Sequence, residues 1–223
     1  ILILILIIPM IALGQEANKD SMSVEVIVAM LNAAKDGETI RFKAGTYWGA
    51  LSIENRKDLT LDFSNVNIIT NQDETIFTLK CCSNIKIKGL TIHHDLPACF
   101  TNCFDIHLSD NISFIDCDIN GSGFIGVCIN KSTGIKIKKC KIHQCTMGVF
   151  LWENNETLNG DEASTSDVDI RNCTFNDNEL GNVCFDHNYA CLVDFKANIE
   201  GKKFIINSTN YKDYFSPNLN FVL

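Results

Sequence analysis

The sequence predicts an all-β protein that folds as a single right-handed parallel β-helix, a coil of short strands with a short capping helix at its start. Three observations predict this fold: a repeated segment, strands that alternate with period two, and a turn residue before each repeat. Aligned from that turn residue, the repeats read Asn84-IKIKGLTIH, Asn111-ISFIDCDIN, Gly134-IKIKKCKIH and Asp167-VDIRNCTFN. Their spacing corresponds to one coil plus a loop of variable length.

A second alternating strand lies between these repeats, in TIFTLKC, FDIHLSD, GVCINKS, GVFLWEN and NVCFDHN. Period-two strands bury every other side chain, so both registers predict inward files of apolar residues. The expected files are Ile85, Ile112, Ile135 and Val168 in one register, and Val127, Val149 and Val183 in the other. No helix pattern separates the strands, which excludes a doubly wound sheet. Asn-Gly pairs do not recur at every connection, as a series of hairpins would require, so parallel stacking is favoured, with a Greek-key sandwich as the alternative.

The turn residues have a physical explanation. Asn, Gly and Asp tolerate the left-handed backbone that a tight corner between two strands requires. Because equivalent corners stack on one another, we expect their side chains to form a ladder along the coil.

The two ends of a β-helix expose unpaired backbone groups and need a cover. The segment from Ser23 to Gly37 has the period of an amphipathic helix, with Ser23 as its cap and Gly37 as its end. Its apolar face comprises Val24, Ile27, Leu31 and Ala34. We expect this helix to close the first coil, whereas residues 195–223 lose the repeat and form either a partial coil or a second cap.

The N-terminal residues and the charge suggest where the protein acts. Residues 1–14, ILILILIIPMIALG, are an apolar run ending in a small-x-small pattern, which predicts a truncated signal peptide, a short leader over 15–22 and the β-helix domain over 23–223. The run is too short to span a bilayer, so we expect a secreted or periplasmic protein without a membrane span. The net charge of −8 argues against nucleic acid as a partner.

The segment VIVAMLNAAKDGETIRFKAGTYWGALSI resembles the opening of the pectate-lyase-like superfamily, and the later repeats resemble those of its polysaccharide lyases and polygalacturonases. The resemblance covers about residues 23 to 195 and implies the β-helix fold and a carbohydrate partner. The positions matching the polygalacturonase acids read Phe124-Ile125-Gly126-Val127 and Thr146-Met147-Gly148-Val149, without a carboxylate. The resemblance therefore does not decide whether the protein is an enzyme.

One candidate site is the outward face of the second strands. Its expected members are Ser52, Glu54, Thr78, Lys80, Asp105, His107, Cys128, Asn130, Phe150, Trp152, Cys184 and Asp186. Among these we select Asp105, His107, Asn130, Trp152 and Asp186 as substrate-binding candidates. An outward indole can stack on a sugar ring, with the insertion 153–167 as the wall of a cleft or, alternatively, as a lid folded over the ring.

Two further readings concern charge. Asp105 and His107 alternate on one strand, so the carboxylate could tune the histidine as a catalytic base, although a solvated surface pair is the simpler alternative. Glu54 and Lys80 occupy equivalent positions of adjacent coils, and we expect them to form a surface ion pair.

A basic stripe on the other strands could neutralise an acidic polysaccharide, or simply protect exposed strands. It comprises Lys86, Lys88, Lys136, Lys138, Lys141 and Arg171, with His93 and His143 at an equivalent position and Asp116, Asp118 and Asp169 interspersed.

The positions of the cysteines indicate thiols packed in the interior and not a metal site. Cys117, Cys140 and Cys173 occupy one inward column, where the strand spacing of about 4.8 Å exceeds the Cβ separation of a disulfide, so a ladder of thiols is expected. The pairs Cys81-Cys82 and Cys99/Cys103 are placed in loops, where they could bridge, but they lack a second ligand pair at zinc spacing. No metal site and no cofactor is predicted; Ca²⁺ is left open without a supporting motif.

These observations favour an extracytoplasmic protein that binds a polysaccharide, with an acidic polymer and cleavage by a lyase or hydrolase both left open. The alternatives are a non-catalytic adhesion or surface-structural β-helix and a periplasmic metal-handling β-helix.

Overall fold

The computed structural model describes residues 21–96, 98–121, 124–152, 165–185, 195–206 and 221–222. Within these ranges the chain forms one helix and twenty strands. The helix is α1 (Glu25–Ala33), and the strands are β1 (Ser21–Ser23), β2 (Thr39–Arg41), β3 (Gly45–Trp48), β4 (Leu51–Glu54), β5 (Lys57–Thr70), β6 (Phe77–Lys80), β7 (Ser83–His94), β8 (Asn102–His107), β9 (Ser113–Ile115), β10 (Asp118–Asn120), β11 (Ile125–Asn130), β12 (Lys136–Lys138), β13 (Lys141–His143), β14 (Met147–Trp152), β15 (Val168–Arg171), β16 (Thr174–Asn176), β17 (Gly181–Phe185), β18 (Phe195–Ile199), β19 (Lys202–Ile206) and β20 (Phe221–Val222).

Each coil consists of three segments, and like segments stack in parallel. The first and second segments belong to one sheet, in which β9, β12 and β15 carry the first segment and β10, β13 and β16 the second. The third segment forms a separate sheet from β4, β6, β8, β11, β14 and β17 in parallel order. The predicted parallel β-helix is confirmed.

The inward files lie in the interior as predicted. Ile85, Ile112, Ile135 and Val168 are at most 1% exposed, and so are Val127, Val149 and Val183. Aromatic rings add to this core, since the ring centroids of Phe77 and Phe104 lie 5.3 Å apart at a tilt of 32°, and Phe104 meets Phe114 edge-on at 4.8 Å. Burying one such side chain contributes about 1.5–3 kcal/mol, so the repeated file is the main source of stability.

The predicted corner residues adopt the left-handed backbone. Asn84, Asn111, Gly134 and Asp167 have φ values of 53°, 51°, 66° and 51°, and Asp58, at the equivalent corner of the preceding coil, has a φ of 56°. Their side chains also form the expected ladder: Asn84 Nδ2 donates to Asp58 Oδ1 at 2.7 Å, and Asn111 Nδ2 donates to Asn84 Oδ1.

The helix covers the first coil, but its ends differ from the prediction. Ile27 and Leu31 join the main core, whereas Ser23 belongs to β1 and its hydroxyl accepts from the Glu25 N–H at 3.2 Å. The helix ends at Ala33, before Gly37, because Arg56 donates to the carbonyls of Leu31 and Ala34. A cation at the C-terminal end of a helix also interacts favourably with the helix dipole. The domain boundary at residue 23 stays a prediction, although Ser21 and Met22 already pair with β3.

The C-terminal segment contains an antiparallel hairpin, which the sequence pattern did not predict. β18 continues the parallel stack on β15, and β19 then returns antiparallel to β18. Glu200 and Gly201 turn the chain with φ values of 47° and 83°. The Glu200 carboxylate accepts hydrogen bonds from the N–H groups of Asn172 and Cys173 at 3.0 and 2.9 Å. At the equivalent corners of earlier coils, a backbone carbonyl of the next coil accepts this hydrogen bond. Here the Glu200 carboxylate takes the place of that carbonyl.

The predicted thiol ladder is present. Cys117 and Cys140 are buried and Cys173 is half-buried. A hydrogen bond from Cys140 lowers the pKa of Cys117, and the same contact raises the pKa of Cys140 to about 12. The described cysteines are free thiols. The loop placement of Cys103 was wrong, because this residue lies buried in β8.

Candidate functional site

The outward face of the third sheet carries a row of side chains in register, one from each coil. Glu54 pairs with Lys80, Lys80 with His107, His107 with Asn130, and Asn130 with Trp152. We call these five residues the outer row. Parallel strands lie about 4.8 Å apart, so the row extends roughly 14 Å from Lys80 to Trp152.

A buried file of hydroxyl groups fixes the backbone beneath the outer row. Ser109 Oγ donates to the His107 carbonyl at 2.9 Å, and Ser132 Oγ donates to the Asn130 carbonyl at 2.7 Å. Thr165 Oγ1 does the same for the Trp152 carbonyl at 3.3 Å. These three hydroxyl residues are at most 3% exposed. Sequence reasoning missed the file, although Ser or Thr recurs two residues after His107 and Asn130.

Two members of the row are suited to ligand contact. Trp152 is 39% exposed, so its ring is not closed off from solvent. Asn130 is 8% exposed, and its Oδ1 atom has no hydrogen-bond partner in the part of the chain that the structure describes. Burying an acceptor without a partner costs about 1–3 kcal/mol, and native structures rarely carry that cost without a reason.

Asp105 and His107 occupy alternate outward positions of β8 and influence each other's protonation. Burial raises the pKa of Asp105, and the neighbouring His107 opposes that rise. Burial lowers the pKa of His107, opposed by Asp105 and reinforced by Lys80 and Lys131. The imidazole is therefore neutral near neutral pH and able to accept a proton.

The outward face differs from the prediction at Cys128 and Cys184. Both were expected to face water, yet they are 1% and 0% exposed and form a separate apolar cluster with Ile125 and Met147. Val127 and Ile129 belong to the main core, so Cys128 between them still lies on the outward side of β11. Neighbouring apolar side chains, among them Phe150 and Leu180, cover this cluster and keep it from water.

Other predictions for this face have mixed outcomes. Glu54 and Lys80 stack as predicted, but they form no ion pair; instead, Ser52 Oγ donates to Glu54 Oε1 at 3.3 Å. Asp186 and residues 153–164 of the insertion lie outside the described residues. Their assignment to the site stays a prediction.

Three of the six Lys and Arg residues in the basic stripe are paired with acids, namely Lys138, Lys141 and Arg171. Lys138 Nζ lies 3.7 Å from Asp169 Oδ2, and Arg171 Nε donates to Asp169 Oδ1 at 2.6 Å. Lysines that are paired in this way have less charge available for an acidic polymer.

A second polar group lies on the second segment. Asp118 accepts from His143 Nε2 at 2.8 Å and lies 3.6 Å from Lys141 Nζ. In the sequence, the aligned repeats place Asp118 beside Lys141 on adjacent coils, which is the signal that could have predicted this triad. His143 shares a column with His93, separated by Asn120, and burial lowers the pKa of His93.

The described ranges contain neither a cluster of metal ligands nor a helix suited to cross a membrane. No group of three or more His, Cys, Asp or Glu residues there could hold a metal ion. No helix in the same ranges has the length and apolarity needed to cross a bilayer.

The coil architecture and the repeats agree with a known family of proteins. The sequence profile of the family described as right-handed β-helix region matches residues 75–212, more than half of the chain. The chain belongs to this family. No curated protein matches the sequence.

Two solved structures are similar to this chain over part of its length. The A-module of the mannuronan C-5 epimerase AlgE4 from Azotobacter vinelandii is 13% identical with a TM-score of 0.39, over 73% of this chain and 57% of that one. A candidate glycosyl hydrolase from Parabacteroides merdae is 13% identical with a TM-score of 0.31, over 69% of this chain and 83% of that one. The chain thus spans little more than half of the epimerase module. At these values neither likeness assigns an activity or a substrate.

Proposed function

We propose that this protein binds a polysaccharide outside the cytoplasm, with the sugar chain lying along the outer row. The observation that carries the proposal is the in-register pair of Trp152, which is 39% exposed, and Asn130, whose buried Oδ1 has no partner among the described residues. Sugars offer both an apolar ring face and hydroxyl donors, so one class of ligand satisfies both side chains.

The remaining members of the row extend this contact along the axis of the coil. Trp152 stacks on one sugar ring, and Asn130 Oδ1 accepts from a hydroxyl of the same ring or of its neighbour. His107 and exposed Lys80 then meet the next units of an extended chain. The backbone beneath these side chains is fixed by buried hydroxyls, and a fixed site loses less conformational entropy on binding.

For catalysis, the geometry favours proton abstraction over hydrolysis. Two-carboxylate hydrolysis needs carboxyl groups roughly 5 to 9.5 Å apart. Among the described residues of the outward face, the two carboxylates are Glu54 and Asp105, whose backbones lie roughly 12 Å apart because two coils and two residues separate them. A neutral His107 beside Asp105 is suited to act as a base, and the second part of our proposal is therefore a lyase-type reaction at His107.

An array of neutral and acidic polysaccharides, probed with the labelled protein, tests the binding proposal. Every ligand it finds is then incubated with the protein and assayed for unsaturated products by ultraviolet absorbance and for new reducing ends. We expect binding to at least one polysaccharide and, with it, unsaturated products that disappear in H107Q. Failure to bind any polysaccharide would contradict the proposal and favour a surface-structural role, whereas binding without products would remove only the catalytic part.

A further inference from the structure

Two phenylalanines are exposed on neighbouring coils at the opposite end of the third-sheet strands from the outer row. Phe100 is 80% exposed and Phe124 is 41% exposed. The Phe124 N–H donates to the Thr101 carbonyl at 3.4 Å, so the backbones of the two phenylalanines lie about one coil apart. Single exposed apolar side chains are ordinary, but two exposed aromatic residues on adjacent coils indicate an interaction surface.

The backbone of both phenylalanines is held in place. Asp73 Oδ1 accepts from the Phe100 N–H at 2.8 Å and from Thr101 Oγ1 at 3.2 Å. The Phe124 carbonyl accepts from the Met147 N–H at 2.9 Å, which ties Phe124 to the coil on its other side. These bonds present the rings to solvent from a fixed backbone, so their exposure is part of the fold.

The charges around the two rings are of one sign. We use the name leading edge for the described residues of the connections that enter the third-sheet strands, in the ranges 71–76, 95–101, 121–124, 144–146 and 177–180. Its exposed charged side chains are Asp73, Glu74, Asp95, Asp177 and Glu179, and the described part of this edge contains no Lys or Arg. Acidic residues therefore flank the aromatic pair on both sides.

We propose that the leading edge is a docking surface for a basic segment of a partner protein. Arg and Lys side chains are attracted both to carboxylates and to the faces of aromatic rings, and the apolar parts of such a segment would cover Phe100 and Phe124. The surface is distinct from the outer row, because the six residues from Phe124 to Asn130 separate the two by roughly 20 Å at about 3.3 Å per residue. One protein can therefore occupy the leading edge while a polysaccharide occupies the row.

A titration of the full chain with a short synthetic peptide of alternating arginine and leucine tests this proposal. The comparison ligands are the same peptide with glutamate in place of arginine and a glucosamine oligosaccharide, which is a cationic sugar. We expect saturable binding of the basic peptide only, weakened about tenfold or more in the double variant F100S/F124S, as for a central aromatic contact. Both rings are exposed, so circular dichroism should be unchanged in this variant.

Matched variants separate charge from fold. The triple variant D95N/D177N/E179Q keeps both phenylalanines and should also bind the basic peptide more weakly, and its remaining affinity should depend less on salt than that of the wild type. W152A should bind the peptide like the wild type. Absence of peptide binding, equal binding of the acidic peptide, or preference for the glucosamine oligosaccharide would each overturn the proposal without affecting the proposed function of the outer row.

Discussion

Trp152 lies directly beside Asn130 in the parallel pairing of β14 with β11, and the two side chains differ sharply in their surroundings. The indole is open to solvent, while the Asn130 amide is buried with an Oδ1 atom that no described residue satisfies. A structural asparagine at this place would be expected to have its acceptor paired. We therefore expect Asn130 to matter more for binding than for stability.

Substitution of Asn130 by Leu tests that expectation. The change removes an unpaired acceptor, so the free energy of unfolding should stay within about 1 kcal/mol of the wild type, while affinity for the polysaccharide should fall about three- to tenfold. N120L is the matched control, because Asn120 Oδ1 is also buried without a partner but lies on the second segment. Calorimetric titration and urea unfolding provide both measurements, and a large loss of stability with unchanged affinity in N130L would contradict the assignment.

The corner ladder predicts how stability responds at Asn84. N84A loses the side-chain hydrogen bonds to Asp58 and Asn111. It also places alanine at a φ of 53°, without the polar side chain that lets asparagine tolerate this backbone. The left-handed backbone alone costs about 1–2 kcal/mol, so N84A should lose about 2–3 kcal/mol of unfolding free energy. N84G keeps the backbone conformation and should lose about 1 kcal/mol. Equal losses in the two variants, measured by urea unfolding, would rule out the contribution of backbone conformation.

Much of the fold could be predicted because each signal is local and repeats. Ile85, Ile112, Ile135 and Val168 recur after a corner residue, and stacking turns that recurrence into one buried file. The left-handed corner at Asn84 follows from the residue type itself. A repeated signal of this kind also averages out the variation in any single coil.

The other features of the fold and the site depend on contacts between residues that are distant in sequence, and a local pattern does not reveal such contacts. The end of α1 is set by Arg56, which is distant in sequence from the carbonyls it binds. Period two placed Cys128 and Cys184 on the outward face but did not predict that an apolar cluster with Ile125 and Met147 would cover them. For the site, the pattern identified Asp105, His107, Asn130 and Trp152 as outward, but the burial of Asn130 and the hydroxyls of Ser109 and Ser132 beneath the row came only from the structure.

The half-buried carboxylate of Asp105 predicts a pH dependence of stability. Burial raises its pKa in the folded state, so the ionised carboxylate destabilises the fold above that pKa and the cost disappears as falling pH protonates the group. D105N should therefore unfold at a higher temperature than the wild type near neutral pH, and the difference should shrink toward pH of about 4. Thermal unfolding across this range measures the effect. A D105N advantage that grows with acidity would contradict the predicted sign.

The thiol ladder predicts which cysteines react in the native protein. Cys81 is exposed, whereas Cys140 is buried and its pKa is raised to about 12. Since the thiolate is the reactive form, iodoacetamide should label Cys81 first among the described cysteines and Cys140 only after unfolding in urea. Peptide mass mapping after timed labelling gives the order. Native labelling of Cys140 as fast as Cys81 would show that the ladder opens in solution.

The central claim is that a polysaccharide lies on the outer row and stacks on Trp152. The most direct measurement is a calorimetric titration of W152A with the oligosaccharide that binds the wild type best, alongside W152F, which retains an aromatic ring, and F124A, an exposed aromatic outside the row. We predict an affinity loss of about a hundredfold for W152A, a smaller loss for W152F and no change for F124A. Wild-type affinity in W152A would contradict the account.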